Sequence, residues 1–272
     1  MTMSANGTLI AAYPTPVELR VRTRLNVRAA PTRTAALVAR RQPYDTLLAD
    51  QLLDAETFLD NSHWYRLAAG GQYVWAGGVD RVLPAAALPA LPAPLQVNRR
   101  QDGTIRPLDA AQLNARYGPI TALGHNVDGS VTLAPPWEAN QIVDFLHPLL
   151  ANMGLQRLRV HRMALATFQS VFDSIQAAGP AVSDRLLTCD GAYFPRHVNH
   201  SRDPSSPLSS HTFGIALDLN SAWNGYGSRP AAAGLEGSLH ELVPYFAHHG
   251  FAWGGHFTGK SCDGMHFELA VY

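Results

Sequence analysis

Between residues 18 and 75 apolar and polar positions alternate in short runs: Glu18–Arg22, Leu25–Arg28, Leu37–Arg40, Thr46–Ala49, Trp64–Leu67 and Tyr73–Trp75. A period of two marks half-buried strands. The breaks carry turn chemistry at Ala30-Pro31, Asp60-Asn61-Ser62 and Gly70-Gly71. This many short strands in about 65 residues predicts a small β barrel. Residues 84–95 then hold four prolines in twelve positions, which predicts an extended spacer.

Beyond the spacer the pattern is mixed. Ile142, Val143, Leu146, Leu149 and Leu150 fall at helical spacing within Trp137–Asn152, with a kink expected at Pro148. Leu155–Val160 reads as a strand. Leu165, Phe168, Phe172 and Ile175 define a helix that stops at Gly179-Pro180. Strands are expected at Leu186–Thr188, Ile215–Leu219, Phe251–Trp253 and Phe267–Val271. Ser238 and Glu241 have capping-box spacing, which predicts a helix starting there and bent at Pro244. Helices come early and strands late, so the second region is expected to be α+β.

Composition excludes several classes. The 272 residues are 46% hydrophobic and contain no apolar run of membrane-spanning length. Residues 1–95 carry nine basic and seven acidic side chains, and the remainder twelve and fourteen. Neither part has the positive field of a nucleic-acid binder. Two cysteines, Cys189 and Cys262, exclude a cysteine-rich zinc ribbon and leave a single bridge between them open. Met1 to Pro16 lacks the basic and apolar segments of a secretory signal.

Twelve histidines direct attention to metal chemistry. A hydrolytic zinc ion takes three His or carboxylate ligands and keeps one position for water. A nearby carboxylate must accept the proton of that water. A cation must face the carbonyl oxygen as it gains charge. Ser209-Ser210-His211-Thr212-Phe213-Gly214-Ile215-Ala216-Leu217-Asp218 and Asp263-Gly264-Met265-His266-Phe267-Glu268 hold candidates for each task. His211, Asp218 and His266 are the expected ligands, Asp263 the base, reached through a turn at Gly264, and Arg196 the oxyanion partner. Taken singly, such residues are more often surface groups; the joint pattern gives them weight.

The pattern Ser209-x-His211-x-x-Gly214-x-Ala216-x-Asp218, followed by Trp253-Gly254-Gly255 and Asp263-x-x-His266, resembles the zinc D-alanyl-D-alanine carboxypeptidase and endolysin family of peptidases, family M15. Trp137-Glu138, Gly191-x-Tyr193-x-x-Arg196 and His248-x-Gly250-Phe251 extend the likeness over roughly residues 115–272. The resemblance implies zinc on His211, Asp218 and His266, Asp263 as acid/base and Arg196 on the substrate. It also implies supporting or substrate-contacting roles for Tyr193, Ser209, Trp253 and His256. His256 stands where many relatives differ, and contact, ligand and surface roles stay open for it. Leu25-Asn26-Val27-Arg28-x-x-Pro31 with Trp64-Tyr65-Arg66-Leu67 and Tyr73-Val74-Trp75 resembles a bacterial SH3-type module. Such modules accompany cell-wall hydrolases.

The expected organisation is therefore an SH3-like domain (17–83), a proline-rich linker (84–114) and an α+β zinc peptidase domain (115–272). The expected substrate is the peptidoglycan stem peptide, cut at L-Ala–D-Glu or D-Ala–D-Ala, by a monomer acting at the cell wall, in the periplasm or outside the cell. A non-catalytic wall-binding protein with a structural metal, and a zinc peptidase of other peptides, are the alternatives.

Overall fold

The structure, a computed structural model, describes residues 7–43, 45–59, 61–82 and 95–272. The chain divides into two compact units. One comprises Met1–Leu88 with Ala232–Pro244, the other Pro89–Ala231 with Tyr245–Tyr272.

The first unit is built on seven antiparallel strands: β1 (Thr8–Val21), β2 (Leu25–Arg28), β3 (Leu37–Arg41), β4 (Thr46–Phe58), β5 (Asn61–Leu67), β6 (Tyr73–Trp75) and β7 (Val79–Val82). They order as β3-β2-β6-β5-β4-β1-β7. No pairing joins β3 to β7, so the described strands form an open order and not a closed barrel. The alternation becomes burial: Leu19, Val21, Leu25, Val27, Leu47, Leu52, Tyr65 and Val74 form one core. Trp64 is buried, and its indole N–H donates to the Glu56 carbonyl at 2.8 Å. Tyr73 and Trp75 are half-buried. β1 and β4 run longer than the sequence pattern implied, because register shifts between Ala12 and Val17 let β1 bend and keep pairing. The Ala232–Pro244 stretch is tied in by a 2.9 Å hydrogen bond between His63 Nδ1 and the Ala233 carbonyl.

The second unit is α+β. Of the expected linker, residues 84–94 lie outside the described residues. The rest is folded: Val97 bridges to Val271, Arg99 to Ile105, and α1 (Ala110–Tyr117) starts at a capping box of Asp109 and Gln112. Hairpins follow, β8 (Ala122–His125) with β9 (Val131–Leu133), then β10 (Ile142–Phe145) with β11 (Leu158–His161). The helix expected over Trp137–Asn152 is not continuous. α2 (Trp137–Gln141) is a single short helix, β10 takes Ile142–Phe145, and Pro148–Met153 is a 3-10 turn. β-Branched Ile142 and Val143 favour the strand, and Pro148 bars a long helix.

Helix α3 (Leu165–Ala177) forms as the pattern predicts, and α4 (Pro180–Ser183) follows. The strand expected at Leu186–Thr188 lies a few residues later, as β12 (Cys189–Gly191). The Ser238–Glu241 pair closes a turn, and α5 runs only Val243–His248. Glu241 also accepts from the Gly234 N–H at 3.1 Å, so its carboxylate is committed to the turn. The second sheet, β12-β13-β15-β14, adds β13 (Ala216–Leu219), β14 (Phe251–Trp253) and β15 (His266–Leu269), all antiparallel. Phe168 meets Phe251 edge-on at 5.3 Å, and Phe246 stacks on Phe267 at 4.2 Å. Each phenylalanine so buried contributes about 1.5–3 kcal/mol. Together they clamp α3 and α5 to one face of this sheet and leave its chain ends to build a site.

Candidate metal centre

Asp218 on β13 and His266 on β15 are register partners, so their side chains leave neighbouring strands on the same face. On the other flank Asp218 pairs with Gly191 of β12. A Cβ there would meet nothing within 4 Å, so glycine leaves open space beside the carboxylate. His211 arrives from a 3-10 turn, Ser210–Phe213, that opens on Ser209, whose Oγ accepts the His211 N–H at 3.3 Å. The turn closes on Gly214 with φ 67°. A Cβ at Gly214 would lie 2.8 Å from the His161 amide nitrogen, so both the dihedral and the crowding require glycine.

The three side chains converge. His211 Nε2 lies 3.2 Å from Asp218 Oδ1 and 3.2 Å from His266 Nδ1; His266 Nδ1 lies 3.0 Å from Asp218 Oδ1. Two atoms each about 2.0–2.1 Å from a tetrahedral zinc stand about 3.3 Å apart, so the spacing fits one ion. Two imidazole nitrogens and one carboxylate oxygen are also the donor set of a catalytic zinc with one position left over. The His211 Nδ1–H donates to the Ala192 carbonyl at 2.8 Å, which turns the Nε2 lone pair inward. His266 Nε2 faces Ser210 Oγ at 3.4 Å and the buried Glu268 carboxylate at 3.7 Å. Glu268 is a carboxylate behind the His266 ring, and the sequence reading gave it no role. The signal was available: residues two apart on a strand share a face.

Charge in the cluster follows from these contacts. Burial works against ionised Asp218, but hydrogen bonds from His211 and His266 outweigh it and hold the carboxyl far below the usual range. For His266 burial works against the cation, yet Asp218 and Glu268 outweigh it and raise the imidazole well above its ordinary value.

Asp263 sits in the turn before β15. Its N–H donates to the Gly254 carbonyl at 3.0 Å, and its own carbonyl accepts from the His266 N–H at 3.1 Å. Side-chain Oδ1 is buried and has no hydrogen-bond partner among the described residues. Burial is the main influence raising its pKa, with Asp218 adding to it, while His266, His211 and Arg196 pull the other way. A buried carboxylate oxygen without a hydrogen-bond partner, within the electrostatic reach of His211, Asp218 and His266, suits a bound solvent molecule. Gly264 is needed here for space and not for dihedral freedom, since a Cβ would fall 2.7 Å from the Pro230 ring. At Gly254 a Cβ would fall 2.3 Å from the Asp263 carbonyl oxygen.

Arg196 is fastened to the His211 turn by its backbone. Its N–H donates to Thr212 Oγ1 at 2.8 Å, and its carbonyl accepts from that hydroxyl at 2.7 Å and from the Ser209 N–H at 2.9 Å. Sequence reasoning missed Thr212, which occupied an unspecified position between His211 and Gly214. The Arg196 guanidinium is half-buried; burial lowers its pKa, and Asp218 and Asp263 partly offset this.

The other expected site residues lie further out. Tyr193 has its ring 4.8 Å from the Arg159 guanidinium. Trp253 is a core residue, 2% exposed, with its indole N–H donating to the Gly264 carbonyl at 2.7 Å. It therefore braces the Asp263 turn and offers no surface for substrate. His256 packs against Trp253 at 4.9 Å and is no member of the His211–Asp218–His266 group. Cys189 and Cys262 are not joined in a disulfide, so the bridge left open by the sequence is not formed. Burial, with Asp218 and Asp190 nearby, pushes the Cys189 thiol up to about 12.

Residues 202–269 match the family model described as D-alanyl-D-alanine carboxypeptidase, a model of the M15 peptidases. The match takes in His211, Asp218, Asp263 and His266 and covers 68 of the 272 residues. It supports the M15 peptidase family and, with it, a peptidoglycan-related peptidase. No curated protein and no solved structure gives a significant match.

Proposed function

We propose that this protein is a zinc peptidase that hydrolyses an amide of the peptidoglycan stem peptide, at L-Ala–D-Glu or D-Ala–D-Ala. The observation that carries this reading is the convergence of His211, Asp218 and His266, within electrostatic reach of an Asp263 carboxylate whose buried Oδ1 has no hydrogen-bond partner among the described residues. A zinc ion held by those three side chains would polarise the scissile carbonyl and make water a nucleophile at neutral pH. Asp263 accepts the proton of that water and passes it to the departing amine. Arg196 faces the carbonyl oxygen as it gains negative charge, or clamps a substrate carboxylate. Tyr193 borders the substrate groove, and Ser209 holds the His211 turn. The first unit, in its SH3-like reading, keeps the enzyme on the wall, in the periplasm or outside the cell.

The test is digestion of purified peptidoglycan by the zinc-loaded protein, followed by mass spectrometry of the muropeptides. New stem-peptide termini at one of the two bonds are expected. Asp263→Ala is expected to retain zinc and lose turnover by about 10²–10⁴-fold. Intact muropeptides with the wild-type protein, or full activity in the variant, contradict the reading.

A further inference from the structure

A cleft of about 430 Å³ opens in the second unit, with apolar walls that include Leu133, Pro136 and Ile142. Glu138 and Arg159 are the charged residues among those lining it. Arg159 Nη2 donates to Glu138 Oε1 at 2.8 Å, and both side chains are a little under half exposed. A pair this accessible is weakly held, so a ligand that offers one charge to each partner displaces it at little cost. The Arg159 guanidinium also rests over the Tyr193 ring, so it stays placed when its counter-charge is exchanged.

Tyr193 links Arg159, a residue of the cleft, to the segment that holds His211. The Ala192 carbonyl before it orients His211, and the Phe194 N–H after it donates to the His211 carbonyl at 3.2 Å. Ile142, another residue of the cleft, has its Cδ1 2.8 Å from where a Gly214 Cβ would stand, at the end of the same His211 turn.

We propose that this cleft is the subsite for a substrate side chain ending in an amino-carboxylate, the zwitterion carried by a diamino-dicarboxylic stem residue. The inference rests on the stem-peptide reading above. An amino-carboxylate holds its ammonium and carboxylate on one carbon and so meets Glu138 and Arg159 together. Its methylene chain lies along the apolar walls. A lysine side chain brings only the ammonium and leaves Arg159 without a counter-charge, as does an amidated carboxylate.

Three synthetic stem pentapeptides ending in D-Ala–D-Ala, which carry both candidate bonds, decide it; they differ only at the third residue: meso-diaminopimelic acid, its side-chain amide, or lysine. With zinc-loaded full-length protein, kcat/KM is expected to favour the free amino-carboxylate about tenfold, chiefly through KM. In Glu138→Gln and in Arg159→Met that ratio should fall to about twofold or less. Equal wild-type rates on all three peptides, or a preference that survives both substitutions, overturn the proposal. Calorimetric titration of the same peptides into the full-length protein gives a readout independent of turnover. Selective binding that disappears in both variants supports the subsite even where no bond is cut. In that way failure of the hydrolase reading and failure of the subsite register separately.

Discussion

His266 stands between two carboxylates, Asp218 and Glu268, and that placement would set how the centre takes up a metal ion. Because its folded-state pKa is raised, the imidazole carries a proton at neutral pH until a cation displaces it. Metal binding therefore releases a proton, and higher pH favours it. Apparent zinc affinity, measured by chelator competition, should rise by about tenfold per pH unit from pH 6 to 8. A flat dependence would show that His266 is not displaced. Glu268→Gln should weaken zinc binding about 10–100-fold in the same assay, since the carboxylate orients the ligating ring. The grouping of His211, Asp218 and His266 was legible from spacing because a His and an Asp seven apart, with a downstream Asp-x-x-His, carry their chemistry in their identities. Thr212 was not legible, because it acts through a hydroxyl bonded to the backbone of a residue sixteen positions away. The Ala192 carbonyl leaves no mark in the sequence at all.

Elements bring these residues together by register and by close packing of glycines. The β13–β15 pairing sets Asp218 opposite His266, and Gly254 lets the Asp263 turn approach β14. Gly254→Ala would drive a Cβ into the Asp263 carbonyl. The variant should bind zinc normally, because no ligand is touched, yet lose about 10²-fold in kcat through displacement of the base. Zinc content and steady-state kinetics on one preparation check both halves. Strands of strict alternation and the helix α3 were readable in advance. The Trp137–Asn152 stretch was not, since its apolar spacing suits a helix while the partner strand β11 that claims Ile142–Phe145 is distant in sequence information. The Ser238–Glu241 pair misled for a related reason: Glu241 is spent on Gly234 and Ser238, so the helix begins later.

At the scale of the whole molecule, the chain divides into two compact units, and the mixed helix and strand pattern of the second was readable from its order of elements. That Ala232–Pro244 folds with the first unit could not be read, because burial of Leu239 and Leu242 depends on contacts far along the chain. If the first unit holds wall polymers, full-length Asp263→Ala should co-sediment with purified cell walls while leaving them uncut, and protein left in the supernatant would contradict that role. The family match and the geometry meet at a single centre, and its composition can be measured directly. Zinc-edge X-ray absorption on the full-length protein should show one zinc per chain with nitrogen and oxygen neighbours at about 2.0–2.1 Å, two of them imidazole. Sulfur near 2.3 Å, a shell closed by four protein ligands, or no bound zinc would contradict the account.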